Sequence, residues 1–90
     1  MDRPEKHDKA ARLAAYLSSP VVKRSVMIAG HATSVSLEQP FWDELQKIAK
    51  AESKSLNALI TEIDDIKDGN LSSALRLYIL SEVIRLEHHV

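Results

Sequence analysis

The stretch HATSVSLEQPFW, residues 31–42, decides how this chain folds. Ser34 and Ser36 alternate with Val35 and Leu37, the period-two pattern of a strand with one buried face. After Glu38-Gln39-Pro40 the apolar positions change to helical spacing: Phe41, Trp42, Leu45, Ile48 and Ala49. A short strand therefore runs straight into a helix. A lone short strand is not stable in water, so this one needs a partner. Upstream lies a second β-rich stretch, VVKRSVMIA (21–29), with Val26 and Ile28 on one side and Ser25 and Met27 on the other. Gly30-His31 reads as a turn. The two stretches either form a hairpin or pair with another chain.

Working outward, the helix begun near Gln39 runs to about Glu52, with Pro40 suited to its first position and Asp43 and Glu44 to its positive end. Ser53-Lys54 is a short break, and Ser55 is a good N-cap for a helix over 56–67. That helix is expected to bury Leu56, Leu59, Ile60, Ile63 and Ile66. Asp68-Gly69-Asn70 is a strong break, with Asn70 capping a helix over 71–87. Leu75, Leu77, Tyr78, Ile79, Leu80, Val83, Ile84 and Leu86 wrap most of its circumference. A helix apolar on nearly all sides requires burial on nearly all sides, which points to a partner. Residues 1–20 form an N-terminal extension with helical spacing over 4–18, ended by Pro20; residues 21–90 form one domain.

The chain has 90 residues and no cysteine, which excludes disulfides and thiolate metal sites. No apolar run approaches a membrane span. MDRPEKHDKAARL lacks the apolar segment of a secretion signal, so a cytoplasmic protein with no membrane contact is expected. Net charge is −1, but it is unevenly spread. Residues 1–24 carry six basic and three acidic side chains, a net of +3, and residues 25–90 six basic and ten acidic, a net of −4. Local field governs contact with phosphate more than the total does.

Strand, helix, short break, helix is also the order of a known family. KRSVMIAGHATSVSLEQPFWDELQKIA, SLNALITEID and NLSSALRLYIL, within 23–80, together resemble a bacterial branch of the ribbon-helix-helix DNA-binding proteins. The resemblance implies a mainly α fold with a short β-ribbon, built as an intertwined homodimer, with an additional C-terminal helix. Two copies of the strand would pair antiparallel across a two-fold axis. Val35, Leu37, Phe41, Trp42, Leu45, Leu59, Ile63 and Leu75 would form the dimer core. Ala32, Ser34 and Ser36 would face outward and enter the major groove of double-stranded DNA. Lys54, Ser55 and Asn57 at the start of the 56–67 helix would meet phosphate, and Lys23 and Arg24 would flank the ribbon. Such a protein would be a transcriptional regulator rather than an enzyme, with no cofactor. Three features depart from the family pattern: the outward ribbon set is Ala, Ser, Ser where better-known members often carry Arg, Lys, Asn or Gln, Ser53-Lys54 stands where many members carry glycine, and the net charge is slightly negative.

An alternative keeps the fold without DNA, as an antitoxin-like or adaptor module that binds another protein. A helix-turn-helix over 55–66 and 71–87, with Ser72, Ser73 and Arg76 outward, would leave the β stretch without a role. Glu62, Asp64, Asp65 and Asp68 lack the loop spacing of a calcium motif. His31 stands alone, and Leu86-Glu87-His88-His89 resembles the start of a purification tag, a pattern that Val90 breaks.

Overall fold

The computed structural model describes residues 4–88, with side chains from residue 8 onward. The order of elements is α1 (Pro4–Leu17), β1 (Val21–Ile28), β2 (His31–Glu38), α2 (Gln39–Ala51), α3 (Leu56–Ile66) and α4 (Leu71–Glu87). The architecture is mainly helical with one short antiparallel ribbon.

The ribbon is closed within one chain. β1 pairs with β2 along its whole length, from Val21↔Glu38 to Ile28↔His31. The turn is Ala29-Gly30, one residue earlier than the sequence suggests, and His31 opens β2. Ala29 and Gly30 have φ of 51° and 82°; two successive positive φ angles match the twist of a two-residue hairpin. The expected pairing of β2 with its own copy is therefore not the pairing on this edge. The physical reason is proximity: a two-residue loop brings β1 back at little cost in closure entropy.

One ribbon face covers the helices. Val26, Ile28, Val35 and Leu37 are buried with Trp42, Leu45 and Ala49 of α2, Leu59, Ile60 and Ile63 of α3, and Leu75 and Ile79 of α4. α3 packs beneath β1, while α2 and α4 meet β2. Trp42 is fully buried, and its Nε1–H donates to the Val22 carbonyl at 2.9 Å, tying α2 to β1. Of the eight residues expected between two chains, seven sit in this single-chain core and Phe41 packs at its edge. Ile66 departs from expectation: it is exposed because α3 ends there and the chain turns away through the extended Lys67.

The helix ends follow local chemistry. Ser55 Oγ accepts from the Ala58 N–H at 3.0 Å, and Asn70 Oδ1 from the Ser73 N–H at 3.1 Å. α2 ends with Ser53 at φ 56°, with Lys54 N–H donating to the Ala49 carbonyl and Ser53 N–H to that of Lys50. This is the Schellman arrangement, in which glycine is the usual residue. Glu38 occupies the N-cap of α2 but its side chain does not cap. Asp43 and Glu44 fall beyond the first turn, and Gln39 donates to Asp43 at 2.8 Å instead. α1 is a helix as expected, yet every side chain from residue 8 to 18 is exposed.

Candidate nucleic-acid interface

The ribbon's other face looks away from the helices. Strand alternation places Lys23, Ser25 and Met27 of β1 and Ala32, Ser34 and Ser36 of β2 on it. The register sets Lys23 across from Ser36, Ser25 across from Ser34, and Met27 across from Ala32. The structure thus brings Lys23, Ala32, Ser34 and Ser36 together. Ser25 and Met27 join them; neither was singled out from the sequence as a binding residue, although period-two alternation from Lys23 points to both.

Arg24 lies on the opposite face, because neighbours along a strand point to opposite sides. Its guanidinium carbon stands 5.2 Å from the centroid of the Trp42 ring, a cation–π contact at the rim of the core. Glu38, at the end of the ribbon, pairs with Arg76 of α4 at 3.2 Å. Its own backbone N–H and then Arg76 hold the Glu38 carboxyl below its ordinary range. Arg76 also stands 5.6 Å from the Phe41 ring centroid, so this side chain fastens α4 to the ribbon–α2 junction.

The start of α3 is a second cluster. Ser55 is spent on capping Ala58, while the amides of Leu56 and Asn57 open the helix without intrahelical acceptors. Asn57 is exposed. Lys54 beside them is clamped between carboxylates, 2.6 Å from Glu62 and 3.1 Å from Glu52. Glu62 and then Glu52 raise the Lys54 ammonium above the usual lysine range. Lys54, then the Tyr78 hydroxyl donating at 3.2 Å, lower the Glu52 carboxyl. Burial and the contact with Glu52 push Tyr78 up to about 12. The sequence alone does not reveal this clamp, since Glu62 and Tyr78 reach Lys54 and Glu52 only through helix packing.

Among the described residues no group of three or more histidine, aspartate or glutamate side chains is placed to hold a metal ion, and no helix is long and apolar enough to cross a membrane. Arg3, the Lys6 side chain and His89 lie outside the described side chains. At the start of α4, Ser73 is exposed and Ser72 half-buried, while Leu75 is buried and Arg76 is engaged with Glu38.

Comparison with curated proteins gives no match. Among solved structures, the chain is similar to an uncharacterized protein from Bordetella pertussis Tohama I. The two share 32% sequence identity and a TM-score of 0.70, over 89% of this chain and 74% of that one. The family profile of the ribbon-helix-helix domain matches residues 21–83, from the first residue of β1 into the last turns of α4. Hairpin, α2, α3 and most of α4 thus fall inside one family pattern, and the chain belongs to the ribbon-helix-helix domain family.

Proposed function

We propose that this protein is a homodimeric, cytoplasmic DNA-binding regulator of transcription that lays the outer ribbon face into the major groove. The observation that carries this reading is the ribbon itself. It is two strands wide, its polar face is turned away from the core, and Lys23 stands on that face. Two strands ~4.8 Å apart fit a groove ~12 Å wide. Ser25, Ser34 and Ser36 supply hydroxyls that donate or accept at base edges, and Lys23 supplies charge. The amides of Leu56 and Asn57 would take phosphate at the positive end of α3. Serine discriminates bases weakly, so DNA shape and backbone charge would carry much of the affinity. Two ribbons related by a two-fold axis would read a palindromic or repeated site. The chemistry is binding, not catalysis.

A second reading, a protein-interaction module, draws on specific observations. Among the described residues the outer ribbon face carries one cation, Lys54 is neutralised by two carboxylates, and residues 25–90 are net acidic.

The discriminating experiment is fluorescence anisotropy with labelled duplex spanning the protein's own promoter, at two salt concentrations and against random duplex. Salt-sensitive binding that prefers the promoter supports the regulator. Absence of binding at low salt overturns it and leaves the interaction module.

A further inference from the structure

We propose that the groove between α1 and the base of the ribbon binds a small amphipathic amine, an ammonium group carrying an apolar chain. Binding there does not depend on whether the ribbon meets DNA. The groove has a volume of about 580 Å³, within the range of sites that take small ligands. Leu17 of α1, Val21 at the start of β1, Phe41 of α2 and Ile79 of α4 give it apolar walls. It is separate from the exposed apolar ridge of α4, because Leu77, Leu80 and Ile84 do not line it.

The polar groups of the groove decide what it takes. Its charged residues are two carboxylates, Glu38 and Glu44, and among the described residues no lysine or arginine lines it. Each carboxylate is held through one oxygen by a cation that lies outside the lining. Arg76 donates to Glu38 Oε1 from Nε and Nη2, at 3.3 and 3.2 Å. Lys47 donates to Glu44 Oε2 at 3.0 Å. Among the described residues no other residue donates to Glu38 Oε2 or Glu44 Oε1. An ionised carboxylate accepts and cannot donate, whereas an ammonium only donates. A cationic donor therefore complements this rim, and an anionic ligand of the same length meets like charge. The apolar chain would lie along Leu17 and Phe41 and leave water there.

The place of the groove gives such a ligand a consequence. Val21 and Glu38 are register partners at the base of the ribbon. The α1 side chains from residue 8 onward are exposed, so a ligand between Leu17 and Phe41 would fasten α1 to the junction of ribbon and α2.

The test is titration of the full chain with hexylammonium, which is charged at neutral pH, followed through the amide resonances by NMR, with hexanoate as the length-matched control. The expected result is saturable shifts at Leu17, Phe41 and Glu44 with a Kd of ~10⁻³ M or lower, and hexanoate weaker by ~10-fold or more. Glu44→Gln keeps the shape and removes the charge; it should raise the hexylammonium Kd ~5-fold or more. Leu17→Lys sets a cation into the wall at a residue 82% exposed and should abolish amine binding. Asp65→Asn, on α3 and outside the groove lining, should leave it unchanged. All three positions are on the surface, so circular dichroism is expected to show an unchanged fold. Shifts that do not saturate by ~10⁻² M, equal binding of hexanoate, or an equal loss in Asp65→Asn and Glu44→Gln each overturn the proposal. The same resonances shifting on dilution of the protein alone would put a second copy in the groove and overturn it too.

Discussion

Ala29 is an alanine held at φ 51°, where a Cβ crowds the backbone. Asparagine tolerates that region better and precedes glycine in the commonest two-residue hairpin turns. Ala29→Asn is therefore expected to raise the unfolding free energy by ~0.5–1 kcal/mol, read from the urea midpoint at constant slope. A midpoint unchanged or lowered would show that the turn is not strained. Lys23 and Arg24 make a sharper pair, because the strand sends them to opposite faces. Lys23→Ala should leave stability unchanged and reduce the salt dependence of DNA binding by about one unit of slope per Lys23 contact. Arg24→Ala should do the reverse: the slope stays, and stability falls by ~0.5–1 kcal/mol as the contact over Trp42 is lost. Equal salt effects in both variants would contradict the face assignment. The alternation of Ser34, Val35, Ser36 and Leu37 made the two faces legible in sequence. Arg24 was not legible in the same way: a charged residue at an inward position becomes tolerable only once Trp42 stands beneath it at the edge of the core.

At the scale of elements, the helix starts were readable because they depend on neighbours in the chain. Ser55 and Asn70 cap the helices they precede. What joins those helices was not readable. Tyr78 of α4 donates to Glu52 at the end of α2, and Glu52 and Glu62 of α3 share Lys54. Residues 52, 54, 62 and 78 converge only after the helices pack. Their network bears on alkaline stability. The Tyr78 hydroxyl ionises near 10 in an unfolded chain and at about 12 in the fold. A raised pKa favours the neutral form in the folded state, so its contribution is complete below pH 10 and is lost as pH rises from 10 through 12. Tyr78→Phe has no proton to lose and should show a shallower decline in melting temperature across that window. An identical pH profile in the variant would exclude the network as a source of stability.

For the whole molecule, twelve buried apolar residues drawn from five elements carry the fold among the described residues. A chain of this size buries a modest share of its surface and has little stability to spare. Leu37 lies at the middle of that core, fully buried, where no acceptor waits for a charge. Leu37→Lys is expected to cost more than ~4 kcal/mol and to leave the chain unfolded, seen as loss of helical circular dichroism at room temperature. A folded protein with a normal melting temperature would place Leu37 outside the core. The charge distribution acts at this scale too. The basic first quarter and the acidic remainder give the molecule a polarity that the net charge of −1 conceals, and Lys23 brings part of the basic quarter onto the outer ribbon.

The sequence by itself determined what depends on local pattern. The two-faced strand, its passage into α2, the caps of α3 and α4, the breaks at Ser53 and Gly69 and the family order all follow from residue spacing and short-range hydrogen bonding. Tertiary structure decided what depends on distance in space. It paired β2 with β1, turned Arg24 inward, clamped Lys54 between two carboxylates, and used α4 to complete a single-chain core while leaving a second apolar ridge outside. The physical reason is that period and capping are properties of adjacent residues. Choosing which edge is paired, which charge is neutralised and which side of an all-round apolar helix is covered requires competing surfaces to meet, and they meet only in the packed chain.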